Sequence, residues 1–170
     1  MSKKAYLLLE DGLLMEGILI GKPGTTGGEI CFNTGMTGYQ EILTDPSYSG
    51  QIIIMTYPLI GNYGVNETDI ESEKIQAAGF VVGNYEDEWS NFEGSHSLDN
   101  YLKKYRIPGI FGIDTRALTK MIRSEGSMRG IISDDSVSDK NLLEKVLKTP
   151  SMSGLDLVKK VTTQDSYILK

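Results

Sequence analysis

Apolar residues fall into short runs separated by turn-forming clusters, strand-like at first and then alternating with helical spacing. Residues 5–10 form a Leu-rich strand pattern. Asp11-Gly12, lying before a second apolar run at 13–20, is a strong hairpin signal. The stretch 21–28, Gly-Lys-Pro-Gly-Thr-Thr-Gly-Gly, reads as loop, and 29–33 as a short strand containing Cys31. Gly35-Met-Thr-Gly38 breaks the chain, and 39–44 makes one or two helical turns that Asp45-Pro46 stops. Residues 51–57 are β-branched and almost continuously apolar, the pattern of a strand buried on both faces. A second such strand is predicted at 77–82, and an acidic, aromatic loop with Trp89 and Phe92 at 84–94. Ser95 or Ser97 caps a helix running to Arg106, with Leu98, Tyr101, Leu102 and Tyr105 on one face and Pro108-Gly109 ending it. A strand at 110–113 precedes a helix capped by Asp114 that buries Leu118, Met121 and Ile122. A strand at 127–133 and a helix at 139–148 complete the core, and the polar tail from Thr149 resembles a linker. An early hairpin followed by strand–helix–strand units predicts a layered α/β fold with mixed sheets.

Composition narrows the function classes. The 170 residues carry 17 Lys/Arg against 23 Asp/Glu, a net charge of −6. An acidic chain is poorly suited to neutralising phosphates, so no nucleic-acid partner is expected. No apolar run reaches membrane-spanning length and no secretory signal opens the chain, which predicts a soluble, cytoplasmic protein. The charge is unevenly placed. Residues 1–102 hold four Lys/Arg and fifteen Asp/Glu, whereas 103–129 hold seven Lys/Arg against Asp114 and Glu125, a net of +5. Such a basic segment in an acidic domain is a candidate docking face for an acidic partner, or two helices with solvated cationic faces. Within it, Arg116 reads as a structural or interface anchor.

Resident catalytic machinery is not apparent. Cys31 lies mid-strand, away from the turn or helix start that activates a thiolate, and reads as structural. His96 has Ser95 and Asp99 nearby in sequence, but a triad is assembled in space rather than from chain neighbours. One cysteine and one histidine exclude a multi-ligand zinc site. The alternating acids at 67–73 and 86–88 lack the turn and closing bidentate carboxylate of a calcium loop, so no metal is expected. Residues 21–28 hold glycines without the Lys-Ser/Thr order of a phosphate loop. The segment Phe32-Asn-Thr-Gly-Met-Thr-Gly-Tyr-Gln-Glu-Ile-Leu-Thr-Asp-Pro-Ser-Tyr48 is different. Its density of hydroxyls, amides and turn-formers marks a recognition loop on a strand scaffold.

That segment, with Thr56-Tyr-Pro-Leu-Ile-Gly-Asn62, closely resembles the N-terminal domain of the small, glutamine-hydrolysing subunit of carbamoyl-phosphate synthetase. Gly112-Ile-Asp-Thr-Arg-Ala-Leu-Thr119 is similar as well, as are Leu8-Leu-Glu-Asp-Gly12, Gly154-Leu-Asp-Leu157 and Val161-Thr-Thr163, all in the family's order. The resemblance implies a layered β/β/α swivelling domain over 1–150, with 151–170 a linker toward a class I glutamine amidotransferase domain. Cys31 and His96 do not match that domain's Cys, His and Glu, so this chain is expected to be non-catalytic. The holoenzyme implied makes carbamoyl phosphate from glutamine, bicarbonate and ATP for arginine and pyrimidine synthesis. ATP and Mg serve the large subunit, and no cofactor is expected here. The implied partners are the large subunit, the amidotransferase domain of the same polypeptide, and glutamine. One site residue carries over: Ser47, in Asp-Pro-Ser-Tyr, is expected to reach the glutamine site, the alternative being simple closure of the turn. A free-standing binding or regulatory domain on the same fold is the competing reading, and a self-contained hydrolase using Ser47 or Cys31 a remote third.

Overall fold

The structure is a computed structural model that describes residues 3–134, 142–163, 165, 166 and 168. Strands β1 (Lys4–Leu9), β2 (Leu14–Gly21) and β3 (Thr25–Asn33) open the chain. Helix α1 (Tyr39–Thr44) and a 3-10 turn (Pro46–Tyr48) lead into β4 (Gln51–Met55). The short β5 (Leu59–Ile60), then β6 (Gly79–Val82) and the short β7 (Asn84–Tyr85), follow. Helix α2 (Leu98–Lys104), β8 (Pro108–Phe111), α3 (Thr115–Glu125) and β9 (Met128–Ser133) complete the sheet region. Helices α4 (Leu142–Lys148) and α5 (Val158–Val161) come last.

Seven strands close into a barrel in the order β1-β2-β8-β6-β4-β3-β9, and β5 pairs with β7 in a separate ribbon. The pairs β3–β4, β4–β6 and β6–β8 are parallel and the other four antiparallel, which agrees with the mixed α/β reading. Closure of the sheet on itself is an architecture the layered expectation did not specify.

Alternation along the strands sorts the core. Ile52 and Ile54 of β4 face one cluster with Ala5, Leu7, Leu9, Ile30, Val81, Ile110 and Ile132, and Leu118 and Ile122 of α3 join it. Ile53 and Met55 face the opposite way, packing with Phe80, Val82, Tyr39, Leu43, Leu98 and Leu102 under α1 and α2. The run at 51–55 is therefore buried on both faces, as its sequence predicts. Each fully buried aliphatic side chain there contributes roughly 1.5–3 kcal/mol. A third, small cluster seats Leu142 and Val146 of α4 on Leu8 and Ile131.

Several local readings are corrected. Residues 25–28, expected to be loop, are the first half of β3 and pair with β9. Their glycines serve close approach: a Cβ on Gly28 would lie 2.5 Å from the Gly50 carbonyl oxygen. Pro108-Gly109, expected to end α2, belongs instead to β8, with Pro108 at the first strand position, where a missing N–H is tolerated. The helix stops earlier, because the Ile107 N–H donates to the Leu102 carbonyl and the Arg106 N–H to the Lys103 carbonyl. Arg106 turns the chain there at φ 63°, a Schellman ending with arginine in the usual glycine position. Of the two candidate caps, Ser97 is the one used, accepting from the Asn100 N–H. The strand predicted to Tyr57 ends at Met55, and the loop predicted at 84–94 opens with β7. Residues 139–141 of the last helix expectation lie outside the described residues.

Arg129 on β9 locks the end of α4 to the barrel. Its guanidinium donates to Glu10 through Nε at 2.7 Å, and its Nη1 to the Leu147 carbonyl at 2.9 Å. The Arg129 backbone N–H, also bonded to Glu10, is the largest cause holding that carboxyl below its ordinary range. The guanidinium adds to this and partial burial opposes it. A depressed folded-state pKa contributes stability above the unfolded value that is lost as pH falls through the folded one. Glu10→Gln should therefore be less stable than the parent near neutral pH, with the gap closing on acidification. Urea unfolding at stepped pH checks this, and a gap that persists below the carboxylate range would refute it. Among the described residues no helix is long and apolar enough to cross a membrane.

Candidate functional site

The segment 32–48 is polar because it fastens itself. Asn33, at the end of β3, donates from Nδ2 to the Tyr48 hydroxyl at 2.9 Å and accepts from the Gly35 N–H at 2.7 Å. The Tyr63 hydroxyl oxygen accepts from the N–H groups of Gly38 and Tyr39 at 2.7 and 3.1 Å, so a phenol caps α1 from outside the helix. Tyr39 and Tyr63 stack with ring centroids 4.2 Å apart, and the Tyr39 hydroxyl donates to the Gly64 carbonyl at 2.6 Å. Burial pushes the Tyr39 phenol well above its ordinary range, and Tyr63 adds to this, so it remains a neutral donor. Gln40, buried in α1, grips residue 66 twice, donating to the Asn66 carbonyl and accepting from its N–H. Thr44 donates to the Gln40 carbonyl and accepts from the Glu71 N–H. The acidic loop at 66–73 is thus pinned to α1 by groups that sequence reading assigned to ligand recognition.

Ser47 stands apart from this network. It lies exposed in the 3-10 turn, whose cap is the Asp45 carboxylate accepting from the Ser47 backbone N–H at 2.8 Å. The turn is closed by Asp45, and among the described residues nothing hydrogen-bonds the Ser47 hydroxyl. Pro46 fixes φ at the first position of that turn. A hydroxyl held on a short, capped turn can both donate to and accept from a polar substrate.

A cavity of about 680 Å³ opens at one end of the parallel strands. The residues directly after the four parallel strands line it: Thr34 after β3, Thr56 after β4, Gly83 after β6 and Gly112 after β8. Asn33 therefore joins two places, holding Tyr48 of the serine turn while its neighbour Thr34 forms the cavity rim. From the first turns of α3 the cavity receives Thr115, Arg116, Thr119 and Lys120. Carboxyl ends of parallel strands facing a helix N-terminus are where α/β folds place ligands. The sequence reading passed over this cavity because its lining is single residues scattered over 87 positions. The available signal was a small or hydroxylated residue directly after each of four apolar runs.

The other candidates fall elsewhere. Cys31 is half-buried on β3 against the cluster under α1 and α2, and its thiol is pushed up to about 12, by burial first and by Glu29 second. That is the reverse of nucleophile activation. His96 is exposed, and its backbone bridges to Val65. Among the described residues no group of three or more His, Cys, Asp or Glu side chains could hold a metal ion.

The fold and its turn define a mixed α/β barrel domain that carries a fastened polar loop with one presented serine. The model of the carbamoyl-phosphate synthase small chain, CPSase domain, matches residues 7–132, and the chain belongs to that family. It is 53% identical to the carbamoyl phosphate synthase small chain of Aquifex aeolicus over 98% of this chain and 45% of that protein. It is also 53% identical to the small chain of Thermotoga maritima, over 99% of this chain and 43% of that one. The chain thus spans less than half the length of the curated relatives it matches. Among solved structures it has a TM-score of 0.42 with an aminopeptidase from Aneurinibacillus sp. strain AM-1, at 13% identity over 78% of this chain and 32% of that one.

Proposed function

We propose that this chain is the non-catalytic N-terminal module of a glutamine-hydrolysing carbamoyl-phosphate synthetase small subunit. It docks the large synthetase subunit and lends Ser47 to glutamine held by an amidotransferase domain, with residues 151–170 leading toward that domain. Family membership supports the assembly, and the net charge of +5 over residues 103–129 supports docking against an acidic surface. One observation carries the glutamine role: the Ser47 hydroxyl is exposed and, among the described residues, unengaged on a turn that Asp45 already closes. A structural serine in such a turn would have its hydroxyl bonded to the backbone.

The test uses the complete small subunit bound to its large subunit. Removing one neutral hydrogen bond to substrate is worth about 0.5–1.5 kcal/mol, so Ser47→Ala should raise the glutamine KM roughly two- to twelvefold with kcat little changed. Synthesis from free ammonia should be unaffected, since it bypasses glutamine. An unchanged glutamine KM would remove Ser47 from the site.

A further inference from the structure

Two of the cations counted toward docking, Arg116 and Lys120, line the cavity at the carboxyl ends of β3, β4, β6 and β8, and its other groups give it a ligand chemistry of its own. Thr115 is only 6% exposed, yet among the described residues nothing hydrogen-bonds its hydroxyl. That hydroxyl lies 3.5 Å from where a Cβ on Gly83 would stand, so it faces a wall that carries no side chain of its own. Among the described residues no fully buried side-chain polar atom lacks a partner, so this hydroxyl is reached through the cavity and is free to donate to a ligand seated there. Arg116 and Lys120, one helical turn apart on the same side of α3, also line the cavity. Among the described residues neither forms an ion pair. Thr119 donates its proton to the Thr115 carbonyl, so it has none left for a ligand and Thr115 is the hydroxyl available as a donor. Asp114 is the opposing charge, but its Oδ1 is engaged as the helix cap by the Ala117 N–H at 2.9 Å. Two cations against one capped carboxylate leave the site net positive, beside the positive end of an eleven-residue helix.

We infer that this cavity binds an oxyanion, a carboxylate or phosphate group seated between the Arg116 guanidinium and the Lys120 ammonium, with the Thr115 hydroxyl donating to one of its oxygens. Arginine offers a planar fork that matches either group, and lysine adds a point charge. The oxyanion has two sources, a free small acid or an acidic side chain of a docked protein, and the recognition chemistry is the same for both.

The chain, labelled with ¹⁵N, is titrated with inorganic phosphate and, in parallel, with acetate, at constant ionic strength set by chloride. The amides of Thr115, Arg116 and Gly83 should shift saturably with one or both probes. Arg116→Gln, at an exposed position that leaves the fold intact, should weaken that binding at least tenfold. Thr115→Val, which keeps the side-chain shape, should weaken it about threefold or more. The two sources are separated by adding the large subunit. Binding that persists unchanged identifies a free anion, and binding that the subunit displaces identifies a partner's carboxylate. Shifts that do not saturate, shifts no larger than chloride produces, or an Arg116→Gln affinity within twofold of the parent would each overturn the site.

Discussion

Tyr39→Ala is expected to cost the fold about 4 kcal/mol, in the upper range for truncating a fully buried aromatic side chain. Tyr39 is among the largest completely buried side chains. Its ring stacks on Tyr63 and its hydroxyl holds the Gly64 carbonyl, so alanine would leave both a cavity and an unpaired buried acceptor. Tyr39→Phe separates these contributions. It keeps the ring and removes only the hydrogen bond, and should cost about 1–2 kcal/mol. Urea unfolding of the two variants measures both, with the slope checking that the denatured state is unaltered. If Tyr39→Ala lost less than about 1 kcal/mol, the tyrosine pair would not be fastening the loop that carries Ser47.

Gly61→Ala should cost about 3 kcal/mol or more, although it adds a single methyl group. Gly61 sits at φ +101°, and a Cβ there would lie 2.1 Å from the Glu86 carbonyl oxygen and 2.9 Å from the Tyr85 ring. The left-handed backbone costs an L-residue roughly 1–2 kcal/mol and the clash roughly 1–3 more. Neither neighbour yields easily, because β5 and β7 pair at that point and the Glu86 N–H donates to the Ile60 carbonyl. The damage should reach the serine loop, since Gly64, which receives the Tyr39 hydroxyl, begins its turn by donating its N–H to the Gly61 carbonyl. Thermal unfolding decides it. A midpoint within a few degrees of the parent's would mean that the ribbon relaxes around the methyl.

Local physics made some of this molecule legible in advance. The two-faced burial of β4 followed from an unbroken β-branched run, and the Asp114 cap from an acidic residue ahead of a helical pattern. The first half of β3 was not legible, because Thr-Thr-Gly-Gly has loop composition and its reason for being strand lies in the backbones it approaches. Barrel closure was invisible for a related reason. Pairing of Leu7 with Ile132, or of Ile20 with Gly109, leaves no mark on short-range periodicity. At the candidate site, Ser47 stood out only through resemblance to a family. Gln40, whose buried amide clamps residue 66, looked like one more polar residue in a dense motif. What distinguished them was which polar groups the fold had already satisfied, and that is a three-dimensional property.

The closing strand of the barrel carries a further consequence, for synthesis. Because β9 sits between β1 and β3, both of those strands present an open edge until residues 128–133 have left the ribosome. Translation at roughly 5–20 residues per second leaves β3 in that state for on the order of ten seconds. Unpaired edges are templates for association between chains, so the nascent protein passes through an interval of exposure to aggregation and to holding chaperones, which the last strand ends by sealing both edges at once.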